Sequence, residues 1–211
     1  MMKRKDDVVR QLTGGIAMLF KKNNVTWAKG TGRFEGVEGD LKVVSVDGAE
    51  GKRTLTAPRV LIATGSEATP LPFLPFDGKR VLSSTEALSI PEIPKHLVII
   101  GGGVIGVEMG SVWSRLGAKV TVIEFSDRIC TGFDLQAAKE LQKSLVKQGI
   151  EFRLSTKCLG ATLSGNTMLV EVENRADNSK SKIECDYVLV ATGRRPYTGQ
   201  QRFCLPSQSD S

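Results

Sequence analysis

The residues with the clearest chemical purpose lie in the stretch 96–125, where a run of glycines follows an apolar segment. Gly101, Gly103 and Gly106 have the spacing G-x-G-x-x-G. Glycines at this spacing allow a tight turn, the close approach of a pyrophosphate and close packing of the next helix. An acidic side chain at the distance of Glu124 can accept hydrogen bonds from both hydroxyls of an adenosine ribose, and its charge repels a 2′-phosphate. The pattern therefore predicts a dinucleotide site that prefers NAD to NADP.

A strand, a helix and a second strand must hold these residues in place. Leu97–Ile100 is an apolar run typical of a strand that is buried on both faces. Apolar residues then recur at helical spacing over 104–116, and Gly117 ends the predicted helix. Val120–Ile123 predicts the second strand, with the acidic residue at its end. A plain glycine turn between strand and helix is the alternative, but it does not account for that acidic residue.

Composition excludes several other classes of function. The chain has 211 residues, of which 40% are hydrophobic, and its net charge is +6. The basic residues are scattered and no aromatic residues alternate with them, which argues against nucleic-acid binding. No apolar run approaches the length of a membrane span, so we expect no membrane partner.

The cysteines and the histidine give no sign of a metal site. The cysteines lack metal-ligand spacing, and we expect reduced thiols that are buried or incidental. They are Cys130, Cys158, Cys185 and Cys204. His96 is the only histidine, and its position after a lysine favours an exposed side chain without a catalytic role.

The first part of the chain combines a helix, short strands and a proline-rich connector. Asp6–Asn23 has one apolar face, and Gly14 and Gly15 within it predict a close packing partner. This helix starts without an obvious cap, which indicates a piece of something longer. Pro70–Pro94 predicts a domain linker. The predicted strands are Val25–Ala28, Thr31–Glu35, Leu41–Val46, Arg53–Ala57 and the apolar run Val60–Ala63.

The part after Glu124 continues the alternation of helix and strand. A helix over Leu135–Gln148 precedes a strand over Glu151–Leu154, and a hairpin follows. Val188–Ala191 is another buried-strand run. It ends in Ala-Thr-Gly, as the run before Gly65 does, so two such turns flank one nucleotide motif. The segment 200–211 has no periodicity and is expected to be a disordered or out-of-frame tail.

The order of these motifs resembles that of the flavin-dependent disulfide reductases, and most closely that of the lipoamide dehydrogenase branch. The likeness covers about 11–199. Gly106, Glu124 and Ile105 stand where NADP-dependent and tyrosine-gated relatives have other residues, which argues against a sister reductase. The segments that carry the likeness are LIATGS at 61–66, VLSSTEAL at 81–88, GGGVIGVEMGSVWSRLGAKVTVIEF at 101–125 and ATGRRPYTG at 191–199.

The resemblance implies cofactor contacts at particular positions. Cys158 would contribute only its backbone beside the adenine, because relatives usually have valine there. Glu108 would lie near the flavin ring and pair with a lysine outside this chain. The implied NAD-binding residues are Gly101, Gly102, Gly103, Val104, Ile105, Gly106, Val107, Glu108, Glu124, Cys158 and Gly193. The implied FAD-binding residues are Gly32, Thr64, Gly65 and Ser66.

The resemblance also implies catalytic parts that this sequence does not contain. The family's flavin G-x-G-x-x-G, its redox-active C-x-x-x-x-C and its His-x-x-x-x-Glu base are absent, so we predict no catalytic residue here. The whole enzyme would oxidise dihydrolipoamide on a carrier protein of a 2-oxo acid dehydrogenase complex. Electrons would pass through a disulfide and FAD to NAD, and the full-length family enzyme is a homodimer. We expect the chain alone to bind NAD weakly at best, to be inactive and to be poorly soluble.

The expected fold is α/β, a Rossmann-like NAD-binding domain inserted in an incomplete FAD-binding domain. The NAD domain would be three-layered, with a central parallel sheet and a β-meander. The predicted divisions are 1–91 for the partial FAD domain, 92–190 for the NAD domain, 191–199 for the return to the FAD domain, and 200–211 for the tail. A non-catalytic NAD-binding module is the alternative function. The resemblance suggests the mitochondrial matrix.

Overall fold

A computed structural model describes residues 1–198 of the chain. Its helices are α1 (Met2–Lys22), α2 (Ser84–Ala87), α3 (Val104–Arg115) and α4 (Leu135–Lys147). Its strands are β1 (Thr31–Glu38), β2 (Leu41–Gly48), β3 (Gly51–Ala57), β4 (Ser66–Ala68), β5 (Val81–Leu82), β6 (His96–Ile100), β7 (Lys119–Ile123), β8 (Glu151–Arg153), β9 (Thr156–Ser164), β10 (Thr167–Asn174), β11 (Lys180–Cys185), β12 (Tyr187–Val190) and β13 (Arg194–Pro196). Contacts divide the described chain into Ser66–Arg195 and a second unit made of Met1–Gly65 with 196–198. The predicted tail and Cys204 lie outside the described residues.

The unit Ser66–Arg195 is built on a parallel sheet in the order β5-β12-β6-β7-β8. Its central strand β6 is apolar throughout after His96, and Leu97, Val98 and Ile99 are fully buried. A strand buried on both faces needs such a continuous apolar run, because each face meets another layer. The run that predicted this strand is therefore confirmed.

Alternate residues of β6 pack on different layers, as the period of two in a strand requires. Val98 and Ile100 join Val170 and Val172 in a core against the antiparallel meander β9–β10–β11. Ile99 points the other way, towards α3. The predicted three-layered α/β fold with a parallel sheet and a meander is thus confirmed.

Residues 66–91 belong to this unit, which is wider than the predicted NAD domain. Strand β5 adds to the edge of the parallel sheet through Val81 and Leu82, and both are buried. A capping box between Ser83 and Glu86 starts α2. The indole Nε1 of Trp113 on α3 donates to the carbonyl of Ala87 at 3.2 Å, which attaches α2 to the helical layer. The proline-rich stretch therefore contains a strand, which the sequence did not indicate, and a short helix at Ser84–Ala87, where Ser84-Thr85-Glu86 predicts a helical turn.

The other unit contains the meander β1–β2–β3 and the helix α1. Val43 and Val46 on β2 are buried, but no residue of α1 is. A Cβ at Gly14 or Gly15 would meet no atom within 4 Å, so the expected packing partner of this helix is not found among residues 1–198. The apolar face of α1 is exposed in this unit.

Two of the strands predicted for this unit are wrong. Residues 25–28 are irregular, and Trp27 is 56% exposed beside Phe20. Residues 60–63 form no strand either, and Leu61 is 90% exposed. An apolar run predicts a buried strand only where a neighbouring strand pairs with it. No described strand pairs with either segment.

None of the described helices is long and apolar enough to cross a membrane. No group of three or more His, Cys, Asp or Glu side chains within 1–198 is arranged to hold a metal ion.

Candidate dinucleotide site

The glycine run lies where the chain direction across the parallel sheet reverses. From β6 the chain proceeds to β7 and β8 on one side, and it returns through the meander to β12 on the other side of β6. Nucleotides bind outside the carboxyl ends of strands at such a switch point, because the two loops diverge there and leave a crevice. The loops at this point are the glycine turn after β6 and Ala191-Thr192-Gly193 after β12.

Two glycines of the motif are required by close backbone contacts. Gly101 has a φ of +108°, and a Cβ there would lie 2.6 Å from the carbonyl oxygen of Ala191. A Cβ at Gly106 would collide with the carbonyl oxygen of Gly101. We expected Gly106 to allow the helix to approach the sheet, but Gly110 one turn later also serves this purpose. A Cβ at Gly110 would lie 3.2 Å from Ile99 and 3.4 Å from Val120.

Gly103 faces open space at the start of α3. No atom lies within 4 Å of where its Cβ would be, and it is the N-cap residue of a helix without a side-chain cap. The first N–H groups of a helix have no partner inside the helix, and with the helix dipole they favour an anion. This turn therefore fits the phosphates of a dinucleotide.

Glu124 holds the glycine turn as well as facing the crevice. Its Oε2 accepts from the backbone N–H of Gly102 at 2.6 Å, and its Oε1 accepts from the N–H of Ser126 at 2.8 Å. Each carboxylate oxygen can accept more than one hydrogen bond, so both retain capacity for ribose hydroxyls. The carboxylate is thus fixed in position before a ligand arrives.

A cavity of about 660 Å³ opens above this turn. Four of the eight residues predicted from the glycine motif line it, as do the other three predicted NAD-binding residues. The lining members of the prediction are Gly101, Gly103, Val104, Ile105, Glu124, Cys158 and Gly193. Gly102, Gly106 and Val107 are buried beneath the turn and do not line this cavity. The assignment of these residues to NAD stays a prediction.

Glu108 lies elsewhere on α3. It is exposed and lines a separate groove of about 730 Å³ between α3 and α4, with Val112, Phe133 and Leu141. It does not line the cavity above the glycine turn.

Several residues of the cavity were not predicted from the sequence. Phe125, Ser126 and Cys130 come from the segment between β7 and α4, and Phe73 comes from the proline-rich stretch. The backbone N–H of Cys130 donates to the carbonyl of Gly102 at 2.9 Å, which closes this segment over the turn. Phe125 and Ser126 directly follow Glu124, and this position in the sequence was the available signal for them. Nothing in the local pattern indicated Phe73.

The three described thiols of the unit are buried, as predicted, and burial disfavours their thiolate forms. Burial raises the pKa of Cys130, with a smaller contribution from the carboxylate of Glu124. Burial likewise raises the pKa of Cys158, although both residues line the cavity. Cys185 lies in the core between the sheet and the meander, where burial raises its pKa to about 12.

The residues predicted to bind FAD line neither of these two hollows. Gly32 is exposed on β1. The hydroxyl of Thr64 donates to the carbonyl of Tyr197 at 2.9 Å, and the N–H of Tyr197 donates to the carbonyl of Gly65, whose φ is +76°. Ser66 accepts from Nε of Arg194 through its hydroxyl at 2.8 Å. Their role in flavin binding stays a prediction.

His96 is half-buried, which corrects the expectation of an exposed side chain. Its Nδ1 donates to the carbonyl of Glu184 at 2.7 Å, and its Nε2 lies 2.9 Å from the hydroxyl of Thr121. Burial lowers the pKa of His96. The histidine starts β6, at the opposite end of the strand from the glycine turn, so it serves the packing of the sheet.

Comparisons with known proteins agree with this geometry. The family model described as pyridine nucleotide-disulphide oxidoreductase matches residues 2–204. The chain belongs to this family. Members use a pyridine nucleotide and a flavin, and they are oxidoreductases.

Dihydrolipoyl dehydrogenases are among the most similar curated relatives. Dihydrolipoyl dehydrogenase 3 of Pseudomonas putida is 54% identical over 94% of this chain and 42% of its own length. The mitochondrial dihydrolipoyl dehydrogenase of Schizosaccharomyces pombe is 50% identical over 94% of this chain and 38% of its own length. The chain thus spans about two fifths of the curated relatives it matches. These relatives include both bacterial and mitochondrial proteins.

Solved structures show the same fold. The flavoprotein disulfide reductase RclA of Escherichia coli has a TM-score of 0.78 at 26% identity, covering 95% of this chain and 43% of that chain. LpdA of Mycobacterium tuberculosis has a TM-score of 0.82 at 24% identity, covering 94% of this chain and 43% of that chain. The parallel sheet with its meander is therefore the family's fold.

Proposed function

We propose that this chain supplies the NAD-binding part, and a portion of the FAD site, of a dihydrolipoyl dehydrogenase. The single observation that carries the proposal is the glycine turn at the switch point of the sheet, open to a cavity and fastened to Glu124. The identity of 54% to a dihydrolipoyl dehydrogenase supports the choice of reaction.

Each part of the site has a definite task in this proposal. The start of α3 holds the pyrophosphate, and Gly103 leaves it room. Glu124 accepts the two hydroxyls of the adenosine ribose and disfavours a 2′-phosphate, which selects NAD. Gly193 and Ile105 border the cavity and are expected to flank the nicotinamide half. NAD, when bound, supplies the acceptor for a hydride.

The chemistry at the other end of the electron path requires residues that this sequence does not contain. No two cysteines have the spacing C-x-x-x-x-C, and His96 is held by Glu184 and Thr121. We propose that a longer enzyme oxidises dihydrolipoamide through such a disulfide and FAD, as a homodimer within a 2-oxo acid dehydrogenase complex. The chain alone should produce no NADH from dihydrolipoamide after loading with FAD, and a lipoamide-dependent NADH signal would contradict this.

The exposed apolar surface of the first unit fits the same proposal. Leu12, Ile16 and Leu19 of α1 are each more than half exposed, as is Leu61. Contiguous exposed apolar surface marks a contact site. We propose that the remainder of a flavin domain covers these residues in the longer enzyme, and that the chain alone is poorly soluble. A monomeric chain that stays soluble and unfolds cooperatively would contradict this.

The NAD assignment is tested by measuring the binding of ADP-ribose to the 211-residue chain by saturation-transfer NMR, which detects weak binding. Hydrogen bonds to a charged group contribute about 1.5–3 kcal/mol, so Glu124→Gln should weaken binding about tenfold or more. Glu140→Gln is the matched control, because Glu140 is exposed on α4, pairs with Lys143 and does not line the cavity. Equal binding by the two variants would overturn the role of Glu124.

A mitochondrial matrix location is the finer proposal on localisation. It rests on the relatives of mitochondrial origin, and imaging of a tagged full-length gene product would test it.

A further inference from the structure

An exposed aromatic ring stands beside the acidic residue of the cavity. Phe125 follows Glu124 directly at the end of β7, lines the cavity and is 55% exposed. An apolar ring of this size is normally buried, because it loses favourable free energy in water. A partly exposed ring in the lining of a cavity has surface available to a ligand.

Arg175 holds this ring from outside the cavity lining. Its guanidinium carbon lies 3.9 Å from the ring centroid of Phe125, which is a close cation–π contact. Its terminal nitrogen donates to the carbonyl of Phe125 at 3.0 Å. Its backbone N–H donates to the carbonyl of Ser155 at 2.8 Å. One contact with the ring and two hydrogen bonds to backbone carbonyls thus hold Arg175 in place beside Phe125.

The neighbouring backbone is fixed as well. The N–H of Ser155 donates to the carbonyl of Ser126 at 2.7 Å, and the N–H of Thr156 donates to the carbonyl of Glu124 at 2.9 Å. The residues on both sides of Phe125 are therefore tied to the start of the meander. The ring has a set position relative to the carboxylate of Glu124.

We infer that the ring of Phe125 is the platform on which the adenine of the dinucleotide stacks, and that Arg175 is a positioning residue that holds the platform. The inference rests on the proposed function, which places the adenosine ribose on Glu124. The base is joined to that ribose, so it must lie next to the ribose acceptor, where Phe125 is the adjacent aromatic residue. The guanidinium lies over the ring, and the ring keeps exposed surface in the lining of the cavity.

A ring whose position is fixed before the ligand arrives binds a base more tightly than a ring that is free to rotate. Fixing a side chain on binding costs conformational entropy, and Arg175 has already fixed this one. Stacking of a base on an aromatic side chain depends on the face-to-face area and accepts any base. The platform therefore adds affinity for an adenine-bearing ligand, and selection between NAD and NADP stays with Glu124.

The test compares ADP-ribose, which carries the adenine, with nicotinamide mononucleotide, which does not. Phe125→Leu should weaken ADP-ribose binding about 5- to 150-fold, which corresponds to the loss of a base–aromatic stack. Arg175→Ala should weaken it less, and Arg175→Lys should restore part of the loss. The adenine ring protons should lose their saturation-transfer signal in Phe125→Leu, while binding of nicotinamide mononucleotide stays unchanged.

Matched controls are available in the same unit. Phe133 is 60% exposed but lines the groove between α3 and α4, so Phe133→Leu should leave ADP-ribose binding unchanged. Lys182→Ala removes an exposed cation from β11 without touching the ring. Phe73→Leu tests the other exposed ring of the cavity, which is 51% exposed.

The outcomes separate this inference from the proposed function. If the unaltered chain binds no ADP-ribose, the proposed function is wrong, and the inference about Phe125 is overturned with it. If the chain binds ADP-ribose but Phe125→Leu behaves like Phe133→Leu, the inference alone is overturned. A loss of adenine signal in Phe73→Leu and not in Phe125→Leu also overturns it. Unfolding curves that match the unaltered chain exclude misfolding as the cause of a loss.

Discussion

Replacement of Gly101 by alanine should destabilise the unit Ser66–Arg195 more than replacement of a glycine that has a similar φ angle but open space around it. Gly101 has a φ of +108°, and its new Cβ would lie 2.6 Å from the oxygen and 2.8 Å from the carbon of the Ala191 carbonyl. That carbonyl cannot move away easily, because the N–H of Ala191 donates a hydrogen bond to the carbonyl of Ile100 at 2.8 Å. The left-handed backbone costs an alanine about 1–2 kcal/mol, and forced overpacking costs about 1–3 kcal/mol.

Gly117 provides the matched control. Its φ is +104°, close to that of Gly101, but no atom lies within 4 Å of its Cβ position. Gly117→Ala should therefore incur only the backbone cost, and the difference between the two variants should be about 1–3 kcal/mol.

Urea unfolding followed by fluorescence measures this difference. Trp113 is 2% exposed and reports on this unit, whereas Trp27 lies in the other unit and is 56% exposed. Trp27→Phe in all variants removes the second signal. Equal free energies of unfolding for the two alanine variants would refute the argument that contact with Ala191 makes glycine necessary at the turn.

Three further predictions follow from buried groups. ADP-ribose should slow the alkylation of Cys130 and Cys158 by N-ethylmaleimide, because both residues line the cavity; mass spectrometry maps the modified residues. Cys185 has a pKa of about 12 and should stay unmodified until the chain unfolds. Burial lowers the pKa of His96, so the unfolded state binds more protons, and the stability from neutral His96 should be complete above the unfolded pKa of about 6.5 and be lost as the pH falls through the folded pKa. If the urea midpoint of His96→Gln fell as much over this pH range as that of the unaltered chain, the prediction would be wrong. Ser83→Ala should lower the free energy of unfolding by about 1 kcal/mol through loss of the capping box, and an unchanged urea midpoint would show that the cap contributes nothing.

The nucleotide motif could be predicted because its signals are local. One segment contains the apolar run of β6, the glycines and the acidic residue after β7. Burial on both faces of the sheet accounts for the apolar run, and backbone geometry accounts for the glycines. The Ala-Thr-Gly turn after β12 was also visible in the sequence, because it ends an apolar run. Gly101 and Ala191 then meet as close backbone neighbours.

Contacts distant in sequence could not be predicted in this way. Arg175 reaches Phe125 across fifty residues, and nothing in either local pattern indicates the other. Strand β5 in the proline-rich stretch has no local signal, because prolines indicate irregular backbone and this two-residue strand is stabilised by its pairing with β12. The opposite error occurred at 60–63, where an apolar run predicted a strand and none forms. These residues would need a neighbouring strand, and no described strand pairs with them.

The two hydrogen bonds of Glu124 change how cofactor selectivity should be understood in this chain. A basic residue at this position would remove the repulsion of a 2′-phosphate, but it would also release the N–H groups of Gly102 and Ser126. An arginine has no acceptor, so neither N–H could be satisfied by it. The turn that we propose as the pyrophosphate site would then loosen at the same time as the proposed ribose contact changes. In the proposed site, selectivity for NAD and the shape of the glycine turn are therefore coupled through one carboxylate. Glu124→Arg should weaken NAD binding without producing tight binding of NADP.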